Sequence, residues 1–177
     1  MLKGVQNGYD LPEHMTREQY NFIRENKESN PILSGFAGFG CSFGGKWFGG
    51  YAHNSTDRNY AREAKESLLR DLSTLRNAHF ICKDYRDVEI SSNAVIYADP
   101  PYNGTTGYSV GKFNSNDFWD YARERSKTNL MFISEQNAPE DFVSIWCTET
   151  TRTLDVNKKN YFKATEKLFI HKCNANL

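Results

Sequence analysis

Apolar residues in this chain recur with two spacings. Ala94, Val95, Ile96, Tyr97 and Ala98 form an unbroken apolar run with β-branched members, the pattern of a strand buried on both faces of a mostly parallel sheet. Leu130, Met131, Phe132 and Ile133 repeat it and predict the next parallel strand, closed by Ser134 and Glu135. Phe142 to Thr150 and Glu166 to Lys172 predict two further strands, an antiparallel edge hairpin whose polar loop carries Lys158, Lys159 and Lys163. A shorter run, His79 to Lys83, predicts a strand ending at Asp84 and Tyr85.

Helical spacing occupies the stretches between. Thr16-Arg17-Glu18-Gln19 is a capping box, so a helix should run to about Asn26 or Lys27 with Tyr20 and Ile23 inward, before the break at Asn30-Pro31. From Asn59 to about Arg76, Tyr60, Ala64, Leu68, Leu72 and Leu75 fall on one stripe with charges elsewhere. Asn114 or Ser115 should cap a third helix holding Phe118, Trp119, Tyr121 and Ala122 and ending near Lys127. Strands alternating with helices predict an α/β fold, and 177 residues suit one domain over 1–177 with a real core.

One segment breaks the alternation. Between Gly35 and Gly50 stand seven of the chain's twelve glycines, interleaved with Phe36, Phe39, Phe43, Trp47 and Phe48. Phe36-Ala37-Gly38-Phe39-Gly40 spells an FxGxG cofactor pattern, but Ile32 and Leu33 are too short a strand to lead into such a loop. By composition alone the glycines of 30–58 merely let the aromatics pack.

Charge and composition narrow the functions available. Charged residues form 25%, apolar ones 38%, and the formal net charge is zero. Any nucleic-acid contact must therefore come from a local patch rather than a basic surface. Cys41, Cys82, Cys147 and Cys173 are widely spaced, and His14, His53, His79 and His171 show no ligand spacing, so no metal is expected and the thiols are expected to be reduced. No signal peptide or membrane-length apolar run occurs, and a cytoplasmic protein is expected.

The chemistry concentrates where the first strand ends. Pro100 and Pro101 cannot donate to a ladder and bias the residues before them toward extended backbone, so Asp99 should sit on a stiff corner at the carboxyl end of a strand, where open α/β sheets place ligands. Tyr102 shares the corner, and Asn103 to Gly107 form a loop. An Asp99 carboxylate and a Pro100 carbonyl could accept the two hydrogens of an adenine amino group, localising the nitrogen lone pair, while Tyr102 stacks on a base drawn out of the duplex.

Asp99-Pro100-Pro101-Tyr102 resembles the catalytic motif of DNA amino-methyltransferases. Gly44-Gly45-Lys46-Trp47-Phe48-Gly49-Gly50-Tyr51, Asp84-Tyr85-Arg86, Phe118-Trp119 and Ile133-Ser134-Glu135 are similar in type and order to phage-encoded, Dam-like DNA adenine methyltransferases, over nearly the whole chain but only the later part of the family's. The resemblance implies a Rossmann-like methyltransferase sheet left incomplete, because the family's cofactor-binding amino-terminal segments have no counterpart. It implies S-adenosylmethionine as methyl donor and DNA as substrate. Asp99, Pro100, Pro101 and Tyr102 would be catalytic, Asp84 and Tyr85 would touch the cofactor, Lys46, Trp47, Tyr51 and Arg58 would face DNA from an element over 30–58, and Glu135 is a secondary site candidate. An exposed apolar edge on the Ala94–Ala98 strand is expected to be covered by a second copy or a complementing polypeptide. The competing expectation is a catalytically inactive phage remnant that binds DNA or protein, for instance as an anti-restriction module.

Overall fold

The computed structural model describes residues 1–54, 58–101, 113–153 and 161–175, the side chains of 150–153 and 161–164 excepted. The chain divides into two compact units, Met1–Cys82 and Lys83–Leu177.

The first unit is helical. Helix α1 (Leu2–Gln6) is followed by α2 (Arg17–Glu25), capped as expected by Thr16, whose side chain accepts from Gln19 N while the Gln19 side chain accepts from Thr16 N. Helix α3 (Pro31–Gly35) starts with Asn30 as cap and proline at its first position, where a missing N–H costs nothing. It runs directly into a π-helical turn, Phe36–Gly40. The FAGFG segment is therefore no strand-loop-helix: Phe36, Ala37 and Gly38 are buried in the core beside Tyr20 and Ile23. Helix α4 (Tyr60–Thr74) begins at Asn59, whose side chain accepts from Arg62 N. Its buried stripe is carried by Ala61 and Leu72, with Ala64 and Leu68 half-buried, whereas Leu75 is exposed.

The second unit is a mixed four-stranded sheet with one helix. Strand β1 (Val95–Ala98), α5 (Ser115–Ser126), β2 (Leu130–Glu135), β3 (Phe142–Thr153) and β4 (Tyr161–His171) follow in chain order, and the sheet order is β1-β2-β4-β3. β1 and β2 are parallel; β4 is antiparallel to β2 and to β3. The β3–β4 hairpin pairs as expected but is longer than expected: β3 runs on to Thr153 and β4 starts at Tyr161, so Lys163, expected in the loop, is a strand residue paired with Thr151. One parallel and two antiparallel pairings, however, make the described sheet mixed where a mostly parallel one was expected. Its core joins Phe118, Trp119 and Ala122 of α5 to Met131, Ile133, Phe142 and Phe169.

Two expectations about strands fail. His79–Lys83 forms no strand: Phe80 packs on the first unit's core while Ile81 is 64% exposed. A strand exists only through a partner that satisfies its backbone, and this run has none among the described residues. Among the described residues β1 is the edge strand that the resemblance implied, but it is buried on one face only where burial on both was expected. Ile96 and Ala98 pack on the core, but Val95 and Tyr97 are 71% and 65% exposed.

Candidate active site and nucleic-acid face

The parallel pairing of β1 and β2 assembles the corner. Ala98 stands opposite Ile133, the last rung of the ladder, so Asp99 and Pro100 leave the sheet at the edge where Ser134 and Glu135 end β2. The strand stops there because the two prolines remove the next donors. Asp99 is exposed, Pro100 is buried and Pro101 half-buried. A buried ring holds the Pro100 backbone still, while the carboxylate just before it stays open to a ligand. Glu135 is 7% exposed, and its Oε2 accepts from Gln136 N at 2.8 Å. Burial makes it part of the corner's foundation rather than an open ligand group. Tyr102 and the Asn103–Gly107 loop lie outside the described residues.

Tyr85 borders the same core as Ile96 and Ala98. Its ring stands edge-on to Tyr121 at 4.9 Å and to Phe118 at 5.9 Å, and desolvation pushes its hydroxyl's pKa up. Asp84 precedes it, not at a strand end as expected but capping a 3₁₀ turn, Tyr85–Asp87. Arg86 grips its carboxylate: Nε donates to Oδ1 and Nη2 to Oδ2, both at 2.8 Å, and the backbone N donates to Oδ1 at 3.0 Å. These bonds draw the Asp84 pKa down to about 2. As a test of cofactor fit, Asp84 and Tyr85 offer an exposed anion and an aromatic ring, which suits an adenosine amino group. The FAGFG segment does not fit a cofactor loop, because three of its residues are core.

In the first unit, Cys41 to Ala52 form a closed loop, with Phe43 N donating to Gly50 O at 2.8 Å and Ala52 N to Cys41 O at 2.9 Å. Gly44 and Gly45 take left-handed φ of 64° and 66° at its tip. Phe48 also has positive φ, 45°, a costly state for a bulky residue, held by its N–H on Gly38 O at 2.8 Å and by ring packing on Tyr20 at 5.4 Å. The strained turn lifts Trp47 to the surface against Phe39, ring centroids 4.9 Å apart. Phe39, Phe43 and Trp47 are each about half exposed, and Lys46 beside them is exposed. The buried Phe36 fits the packing alternative; the exposed rings fit the DNA-facing one.

Tyr51 and Arg58 line a cleft of about 520 Å³ with Arg17, His53, Asn54 and Tyr60. The Tyr51 hydroxyl donates to Met15 O at 2.7 Å, which fixes the ring; the Arg17 guanidinium lies over it at 5.2 Å and the His53 ring stacks near it at 6.3 Å. Arg58 is committed to Glu63, with Nη2 to Oε2 at 2.6 Å, and to the Tyr60 face. Arg17 and His53 were not legible as site residues, since Arg17 reads only as part of a capping box and a lone histidine has no pattern.

A family model for D12 class N6 adenine-specific DNA methyltransferases matches residues 45–168. The chain belongs to that family. The match takes in the Lys46–Tyr51 turn, Asp84-Tyr85, the Asp99 corner and the core of the sheet in this D12-class protein. No curated protein matches it. Among the described residues no helix is long and apolar enough to cross a membrane.

Proposed function

We propose that this D12-class chain methylates the exocyclic amino group of adenine in DNA, with S-adenosylmethionine as donor and Asp99 and Pro100 as the base-activating pair. The observation that carries the reading is the corner itself: an exposed carboxylate followed by a buried proline at the carboxyl end of a parallel strand, inside the stretch matched by the family. The amino nitrogen of adenine is a poor nucleophile because its lone pair is spread into the ring. Asp99 Oδ and Pro100 O, each accepting one N–H, hold that lone pair on nitrogen and aim it. Asp99 is also placed to ease departure of the extra proton once nitrogen has gained a substituent. Bound S-adenosylmethionine supplies an electrophilic methyl group, and Asp84 and Tyr85 would take its adenosine end. Tyr102 would stack on the extruded base, and Pro101 stiffens the turn between them.

DNA is taken to lie against the first unit's surface, with Trp47 and its aromatic neighbours as a stacking face and Lys46 and Arg17 as phosphate contacts; Tyr51 supports Arg17, and Arg58 would contribute after exchange from Glu63. Among the described residues nothing pairs with the outer edge of β1, which favours a second polypeptide in the active particle, either another copy or a complementing chain. Transfer of labelled methyl groups to adenine-containing DNA, by wild type and Asp99→Ala, tests the central claim. Incorporation in wild type that vanishes in the variant supports it; equal incorporation by both removes Asp99 from the mechanism. The binding-only alternative predicts DNA retention with no incorporation by either.

A further inference from the structure

The end of the sheet away from Asp99 carries a second chemical grouping. After β4 the chain makes a 3₁₀ turn, Lys172–Asn174, capped by His171. His171 Nδ1 accepts from Cys173 N at 3.2 Å and lies 2.9 Å from Cys173 Sγ. With Nδ1 receiving a backbone N–H, the neutral ring must carry its proton on Nε2. Nε2 is 3.6 Å from Asp141 Oδ2, and Asp141 is itself fixed by Arg123, Nε to Oδ2 at 2.6 Å and Nη2 to Oδ1 at 3.1 Å. Phe142 braces the imidazole edge-on at 5.1 Å. A thiol and a base thus stand in contact, with a carboxylate near enough to attract the ring once it is protonated, a grouping that activates nucleophiles. The charged groups about the imidazole are Asp141 and Arg123, with Lys172 next to it in the chain. Cys173 is exposed, and its sulfur also lies 3.4 Å from Ser126 O and 3.7 Å from Asn174 Oδ1.

The other cysteines make the contrast. Cys41 is buried, and desolvation pushes its pKa up to about 11, so it is inert. Cys82 and Cys147 are exposed but touch no imidazole among the described residues.

We propose that Cys173 is a modification site, a nucleophilic thiol with His171 as general base and the Asp141 carboxylate as a nearby charge that favours the protonated ring, whose co-reactant is a low-molecular-weight disulfide. As Sγ attacks one sulfur of the disulfide, the thiol proton moves to His171 Nδ1, whose lone pair the Cys173 backbone N–H gives up. The reagent's S–S bond breaks, a mixed disulfide forms on Cys173, and the departing thiolate leaves with the proton from His171. No further oxidant is needed. The Asn174 side chain donates to Asn129 O at 3.0 Å, which sets the turn beside the start of β2, opposite the Ser134–Glu135 end, so the adduct does not occupy the Asp99 corner.

The test treats the reduced full-length chain with oxidised glutathione at pH 7 and follows each cysteine by peptide mass mapping. Cys173 should be modified at least about tenfold faster than Cys82 and Cys147. His171→Asn keeps an oxygen able to accept the turn's N–H but offers no base, and should bring Cys173 down to the rate of Cys82. Cys173→Ser should abolish the fast phase and leave the other two rates unchanged. A wild-type Cys173 no faster than Cys82, or a fast phase that survives His171→Asn, overturns the proposal.

Discussion

Arg86 holds Asp84 in a two-pronged grip, Nε on Oδ1 and Nη2 on Oδ2, each at 2.8 Å. The carboxylate keeps lone pairs outside that fork, so a ligand amino group can be accepted without breaking it. If Asp84 takes the cofactor's adenosine, Asp84→Asn should weaken S-adenosylmethionine binding about tenfold, the loss of one hydrogen bond to a charged group. Calorimetry on the two proteins checks this. The folded-state pKa is depressed from 3.8 to about 2. Asp84 therefore stays ionised at any pH well above 4, its contribution fading only as pH falls from 3.8 through about 2. Binding should be flat between pH 5 and 8 as far as Asp84 is concerned.

Asp99 should separate chemistry from binding. If its carboxylate acts on the target base, Asp99→Ala should lower kcat by about 10² to 10³, as for removal of one preorganised electrostatic partner, while the affinity for S-adenosylmethionine stays unchanged. Single-turnover methyl transfer alongside cofactor titration distinguishes the two. A matched loss of cofactor affinity would mean that Asp99 serves the donor's site instead.

The elements with local signals were legible in the residues alone. Thr16 and Asn114 cap the helices they announce, and Asn59, expected only as a helix start, proves to be a cap as well, because a side chain that accepts a first-turn N–H acts locally. The β3–β4 hairpin and the parallel β1–β2 pair followed from apolar runs of the right length. What depended on a distant partner was not legible. An unbroken apolar run reads the same whether one face or both are buried, so the exposure of the Val95 and Tyr97 side chains was not legible, although the resemblance did imply an exposed edge on this strand. The same holds for the missing strand at His79–Lys83. At the site, the Asp99 corner was legible because proline acts on its own backbone, whereas the commitment of Arg58 to Glu63 and the seat of Arg17 over Tyr51 are tertiary facts.

Gly38 governs the placement of Trp47. A Cβ at Gly38 would overlap the Trp47 ring and lie 2.9 Å from Phe48 Cε2. Gly38→Ala should therefore destabilise the first unit by about 1 to 3 kcal/mol, the usual range for overpacking, and push Trp47 further into solvent. If Trp47 belongs to the DNA face, DNA affinity should fall more in this variant than in Leu69→Ala, a change at an exposed α4 side chain. Urea titration and fluorescence anisotropy with labelled duplex measure the two effects. Equal DNA affinity in both variants would detach the aromatic turn from the DNA face.

Arg123 and Asp141 tie α5 to the entrance of β3, and the pair should set the second unit's acid sensitivity. Arg123 holds the Asp141 pKa below its ordinary 3.8, chiefly through the side-chain hydrogen bond. For a depressed carboxylate, the stabilisation is complete above that ordinary value and is lost as pH falls through the lower folded-state value. Both side chains are about a third exposed, at 34% and 35%, so solvent screening discounts the pair to about 1 kcal/mol. Arg123→Gln should consequently lower Tm at pH 7 by a few degrees, the shift of about 1 kcal/mol in a domain of this size. The difference from wild type should shrink steadily below pH 4, as Asp141 is protonated in both. Thermal melts at pH 7, 4 and 3 give the comparison, and a gap that widens toward low pH would show that the pair does not stabilise the fold through the ionised carboxylate.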